Sequence, residues 1–364
     1  MQVTINKKDL INALTIGGAM ASKNKSLPIL DYAKCEVEGD TLTIHSFNGE
    51  SWVSKDVHVE ETDGDFAFCI NPSELAKALK SLAEEVVTFA IESSTMVVNH
   101  FKGIMELPIL ASDQFPLKQI VEDGVNAKLS VATLKKWLAV ASDFVAQDEL
   151  RPVMGGMYIY SKEGKLGVCA TDAHKLWHDS VDYDGEEFGV ILPASGFKPL
   201  LSMLEGIDEI VVAIGEKNIS FTTTSSALHC RLIEGVYPNF KAVIPTNNHI
   251  EVRVDKSELS DSVSRVGLFA NKTTSLLKLS VGSNSMGIEG SDVDLQRKAN
   301  EAVKSEGNSE SLNIGVKGDF FSTCLSHIIS ENVVLRMSDP TRPIVFEDDA
   351  EPSKVMLVMP MLIQ

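Results

Sequence analysis

Alternating apolar positions open the chain at Val3 and Ile5, and Asn6 separates them from an amphipathic run carrying Leu10, Ala13 and Leu14. A period of two passing into spacings of three and four predicts a strand that feeds a helix. The same order returns 124 residues on as Ala127, Leu129, Ser130, Leu134, Trp137 and Leu138, and 249 residues on as Val252, Val254, Asp255, Leu259, Ser262 and Val263. Asn6, Ser130 and Asp255 are residue types whose side-chain oxygen accepts from a free N–H at a helix start. Asp255 with Glu258 reads as an acidic variant of the capping box.

A second helix recurs in each copy. It runs from Asn71-Pro72-Ser73 into Leu75, Leu79 and Leu82, from Pro193-Ala194-Ser195 into Phe197, Leu200, Leu201 and Leu204, and from Asp319 into Phe320, Phe321, Cys324, Leu325 and Ile328. After each comes a β-rich stretch: Val86 to Ile91 with Met96 to Val98, Ile210 to Ile214 with Ile219 to Thr223, and Val333 to Met337 with Ile344 to Phe346. Aromatic-proline pairs close the first two copies, in Asp113-Gln114-Phe115-Pro116 and Gly235-Val236-Tyr237-Pro238. The pattern predicts one unit written three times, with domains over residues 1–121, 122–246 and 247–364. Each is an α+β unit with two helices on one face of a sheet, and about 120 residues is an ordinary domain size.

With 44% hydrophobic and 23% charged residues the chain is globular. The opening Met1-Gln2-Val3-Thr4-Ile5-Asn6 lacks a basic-then-apolar segment, and no apolar run approaches the roughly 20 residues of a membrane span, so no membrane partner and a cytoplasmic location are expected. Cys35, Cys69, Cys169, Cys230 and Cys324 contain no CxxC pair and are odd in number, so reduced core residues are expected. A net charge of −18 argues against nucleic acid unless cations are gathered on one face. Lys7, Lys8, Lys23, Lys25, Lys77, Lys80, Lys135, Lys136, Lys198, Lys256 and Lys272 recur in or beside the helices of all three copies. They form either a basic lining or ordinary solvated helix faces.

No phosphate-binding glycine loop, GxSxG, HExxH or kinase signature is present. One cluster has catalytic chemistry: Cys169, Asp172, His174 and His178 bring together thiol, carboxylate and two imidazoles, a ligand set for a first-row metal. A metal-dependent hydrolase is therefore the rival reading. Against it, Leu166 to Ala170 reads as a buried strand entering a turn at Thr171-Asp172, which would not place both histidines on one helical face.

Ser26-Leu27-Pro28-Ile29-Leu30, Ala170-Thr171-Asp172-Ala173-His174-Lys175-Leu176, Tyr237-Pro238-Asn239-Phe240 and Val358-Met359-Pro360-Met361 stand in this order along the whole chain. Together they resemble the sliding clamp of bacterial replication, the β subunit of DNA polymerase III. The resemblance implies three similar domains of the clamp fold and a head-to-tail homodimeric ring around double-stranded DNA, held without sequence specificity. It implies a processivity factor with no catalytic site, metal or cofactor. Partners would be the replicative polymerase, the clamp loader and repair proteins, bound through short Leu/Phe-containing peptides. The family's peptide pocket maps onto Met154, Thr171, Ala173, His174, Lys175, Leu176, Pro238, Val243, Leu357, Met359, Pro360 and Met361. Its ring joint maps onto Met105 and Leu107 on one side and Leu268 and Phe269 on the other. DNA-facing candidates are Lys23, Lys25, Lys77, Lys80, Lys136, Arg151, Lys198 and Lys272.

Several positions depart from the family pattern. Ala173 and Lys175 stand where Gly and Arg are common, Ala242 where a basic residue is frequent, and Pro152 and Val153 where two aromatics sometimes face DNA. Lysine lacks the planar fork of arginine, so the polar rim of the pocket is expected to select differently. The final apolar run, Val355 to Gln364, is expected to complete a sheet with Val355 and Leu357 while Met359 to Met361 reach a groove facing Thr171 to Leu176.

Overall fold

A computed structural model of the chain describes residues 1–22, 27–116, 124–148, 150–307 and 310–363. Among these residues are six α-helices: α1 (Lys7–Gly17), α2 (Pro72–Lys80), α3 (Val131–Ala141), α4 (Phe197–Met203), α5 (Lys256–Gly267) and α6 (Gly318–Ser326). None is long and apolar enough to cross a membrane.

Local chemistry sets the helix starts. The Asn6 side-chain oxygen accepts from Lys8 N at 2.9 Å, Asn71 does the same for Glu74 N at 3.0 Å, and the Asp255 carboxylate for Glu258 N at 2.7 Å. The Ser130 hydroxyl lies at 3.5 Å from Thr133 N, the longest of these bonds. Each such cap is worth about 1 kcal/mol. The starts of the other two helices differ from the sequence expectation. A short 3₁₀ turn over Ala194–Gly196 leads into α4, and α6 begins at Gly318, so that Asp319 sits in its first turn and accepts from the Ser275 hydroxyl. Neither helix has a side-chain cap.

Two of the recurring lysines are tied to backbone. Lys7 Nζ donates to Leu82 O at 2.7 Å and Lys256 Nζ to Ile328 O at 3.1 Å, in each case just past the end of the repeat's second helix. A cation there satisfies an orphan carbonyl and complements the helix dipole.

The chain forms two compact units, one of residues Met1–Leu138 with Leu192–Ile233 and the other of Ala139–Ile191 with Glu234–Gln364. Each unit holds one 13-stranded sheet. In the first unit the strand Ser226–Arg231 pairs antiparallel with Ser51–His58, Leu228 facing Val53, so strands of the first and second repeats share a sheet. Val3, Ile5, Leu10, Leu14, Phe68 and Phe89 fill its core, where α1 packs on α2. In the second unit the strand Lys175–Asp182 pairs with Val355–Val358, Leu176 facing Leu357, which joins strands of the second and third repeats. Phe321 of α6 packs edge-on to Phe346 at 4.9 Å in that core. Burying side chains of this size contributes about 1.5–3 kcal/mol each.

Among the described residues, the strands Gly103–Leu110 and Arg297–Gly307 each keep a largely unpaired edge. Gly103–Leu110 is laddered to Thr95–His100 on one side, and on the other only Ile109 and Leu110 find partners, in Ile70 and Cys69. Arg297–Gly307 is laddered to Ser285–Asp292, and on its other side pairs only from Ser305 onward. Unpaired strand edges are templates for another strand.

Candidate functional site

The strands Lys165–Thr171 and Lys175–Asp182 are joined by a turn whose shape is set by its own side chains. The Asp172 carboxylate accepts from His174 N at 2.9 Å and Lys175 N at 2.8 Å, and the Thr171 hydroxyl donates to Lys175 O at 2.7 Å and accepts from Ala173 N at 3.1 Å. Lys175 is 7% exposed. Its ammonium pairs with the Asp172 carboxylate and lies 4.7 Å over the Phe320 ring, which offsets the cost of removing it from water. Arg151 Nη1 donates to Asp172 O at 2.8 Å, and Met359 N to His174 O at 2.8 Å. The turn is thus held from two further segments.

Beside this turn lies an apolar cavity of about 160 Å³ lined by Met154, Thr171, Ala173, Lys175, Leu176, Pro238, Asn239, Phe240, Val243, Leu357 and Met359. Nine of the twelve pocket residues expected from the sequence line it. His174 stacks on Phe320 at 5.9 Å and lines a neighbouring cavity of about 540 Å³ instead. Pro360 and Met361 form a short strand against Val316 and Gly315. Asn239 and Phe240 were not among the expected lining residues, although they stand in the quoted Tyr-Pro-Asn-Phe motif. Tyr237 of that motif stacks on Tyr158 at 5.0 Å, nearly parallel, and so fixes the segment that carries Pro238 to Phe240.

The metal-ligand reading is corrected by the same geometry. Cys169, buried, and His178, half-buried, face one another across a strand pair, with His178 Nε2 bonded to the Tyr160 hydroxyl at 2.9 Å. Burial pushes the Cys169 thiol well above its usual range. Asp172 is committed to Lys175, and His174 to the Phe320 ring. Among the described residues no group of three or more His, Cys, Asp or Glu side chains is placed to hold a metal ion.

His178 stands behind the pocket wall, 5.2 Å from the Phe240 ring. Burial pushes its imidazole down to about 4, with the Asp179 carboxylate opposing and the Lys241 ammonium assisting. The folded state therefore favours the neutral ring. Its contribution is complete above the unfolded value of 6.5 and is lost as pH falls from 6.5 towards 4. At 1.36 kcal/mol per pKa unit, and reduced for partial exposure, this is roughly 2 kcal/mol. Urea unfolding at pH 7 and pH 4.5 should show His178→Phe losing about that much less stability on acidification than wild type; equal losses would rule out the imidazole as the source.

The other expected residues are distributed as follows. Lys77 and Lys80 are exposed in the last turn of α2, Lys198 is exposed in α4, Lys272 is exposed just beyond α5, and Lys136 is half-buried in α3. Lys23 and Lys25 lie outside the described residues. Met105 and Leu107 are half-buried on the strand with the unpaired edge, packed against the first unit's core. Leu268 and Phe269, just past α5, are 72% and 40% exposed, too open for ordinary core.

Three family models match the chain in succession: the N-terminal domain of the DNA polymerase III beta subunit over residues 1–119, its central domain over 128–239 and its C-terminal domain over 241–362. The beta sliding clamp of Pseudomonas aeruginosa is 24% identical over 366 residues, covering 99% of this chain and 100% of the relative. That of Escherichia coli K12 is 24% identical over 367 residues with the same coverage. Among solved structures, the DNA polymerase III beta subunit of Thermotoga maritima superposes with a TM-score of 0.94 at 22% identity, covering 100% of both chains.

Proposed function

The chain belongs to the DNA polymerase III beta subunit family, and from that premise we propose that it is a sliding clamp whose two copies close head to tail around duplex DNA and tether replication and repair proteins to it. The observation that carries this reading is the match of all three family domains in order along a chain that repeats one unit three times. The protein acts as a processivity factor rather than a catalyst, and in the cytoplasm.

Two structural features fit the ring. Met105 and Leu107 sit on one unpaired strand edge, with exposed Ile104 beside them, while Leu268 and Phe269 follow α5, which packs on the other strand with an unpaired edge. A repeated heterologous contact between such edges closes if the rotation brings the second copy back to the first. Encirclement also reconciles a net charge of −18 with DNA. Topology prevents escape, so a few cations such as Lys77, Lys80, Lys136, Arg151, Lys198 and Lys272 suffice to hold phosphates without reading bases.

The cavity of about 160 Å³ is the docking site for partner peptides. A small apolar pocket with a polar rim concentrates binding in one or two anchors, here Leu or Phe side chains. The decisive experiment is topological. Protein loaded on nicked circular DNA should stay bound until the circle is linearised and then slide off the ends; retention on linear DNA would refute encirclement.

A further inference from the structure

We infer that the Ala173 methyl group is a specificity element of the peptide pocket, selecting a leucine anchor over a phenylalanine; this rests on the pocket reading proposed above. The starting observation is conformational. Ala173 has φ +74°, a left-handed backbone that an L side chain enters only at a cost glycine does not bear. The turn gives it no alternative, because the Asp172 carboxylate, the Thr171 hydroxyl and Met359 N fix both sides of the residue.

Nothing in the protein's interior repays that cost. Ala173 is exposed and lines the cavity together with Met154, Val243 and Met359. Strain held by an over-determined turn is found preferentially where a site is built. What a methyl does in a cavity of about 160 Å³ is remove room. A glycine would free about the room of one methyl group, a change that counts in so small a pocket. A methyl at a lining position narrows the cavity, and on that ground the smaller leucine anchor is expected to be favoured over the larger phenylalanine ring.

The test uses the full-length protein and two synthetic peptides copied from the clamp-binding segment of its replicative polymerase, differing only in Leu or Phe at the anchor. Wild type should favour the leucine peptide. Ala173→Gly should reduce that preference by about tenfold, the usual worth of a small shape difference in an apolar pocket, and raise the thermal midpoint by roughly 2 °C as the strain is relieved. Ala173→Ser keeps the Cβ and should keep the preference. A raised midpoint with an unchanged preference would overturn the inference, as would a wild type indifferent to the two anchors. Failure of both peptides to bind any variant would instead sink the pocket reading itself, and this inference with it.

Discussion

Lys354→Ala is expected to destabilise the protein by about 3–5 kcal/mol, the cost of stranding a buried charge. The Lys354 side chain is 1% exposed and its ammonium meets His327 O at 2.6 Å, the Asp348 carboxylate at 3.0 Å and the Glu351 carboxylate. Asp348 is equally buried. It also accepts from Ile329 N at 2.7 Å, the Ser330 hydroxyl at 2.5 Å and Ala350 N at 3.1 Å. Many buried pairs can be exchanged for apolar residues at little cost. This one cannot, because Asp348→Leu would orphan the main-chain donors that the carboxylate satisfies.

The network ties the loop after α6 to the segment entering the strand Val355–Val358, one wall of the pocket. Urea denaturation checks the expectation through a lower midpoint at an unchanged slope. An unfolding free energy within about 0.5 kcal/mol of wild type would show that the pair does not hold this loop. The pH dependence has a definite sign. Burial raises the Asp348 carboxyl, but hydrogen bonds from Ile329 N, Ser330, Lys354 and Ala350 N outweigh it and hold the group well below its usual range. Its stabilisation is present above the unfolded value of 3.8 and disappears as pH falls below it.

Met359→Lys is expected to weaken binding of a Leu/Phe-containing polymerase peptide more than 100-fold, at least about 2.8 kcal/mol, while leaving the fold intact. Met359 lines the cavity and its side chain reaches the surface, so the substitution costs the folded state little. In the pocket a second ammonium would face Lys175, whose charge is already neutralised by Asp172. Met361→Lys should act more weakly, since Met361 pairs with Gly315 outside the cavity lining. Isothermal titration of both variants decides between them. Loss at Met361 with none at Met359 would move the peptide path to the other side of the tail.

The pocket was partly legible before the structure because its parts lie in short motifs. The turn Thr171 to Leu176 carries its own hydrogen-bonding logic, and the aliphatic tail announces burial. Asn239 and Phe240 lay inside a quoted motif yet became lining residues only once Tyr237 was seen stacked on Tyr158. His174, Pro360 and Met361 came with the family's pocket carried over position by position, and here they lie beside the cavity lining: His174 against Phe320, Pro360 and Met361 in a short strand against Val316 and Gly315. Lys7 and Lys256 looked like free cations because a carbonyl some 70 residues away leaves no mark beside them.

The repeat and its contents are written locally in the chain. Strand, cap and amphipathic helix are written in spacings of two, three and four residues and in capping side chains, and these are local properties that survive any rearrangement of distant parts. Where one repeat ends and the next begins in the sheets depends on contacts between distant segments. Leu228 facing Val53 and Leu176 facing Leu357 are ladder registers between segments far apart in the chain, chosen by the complementarity of whole edges. The left-handed Ala173, the neutral His178 and the buried Lys354 follow from those registers, because strain, desolvation and ion pairing arise only when the surroundings of a residue are complete.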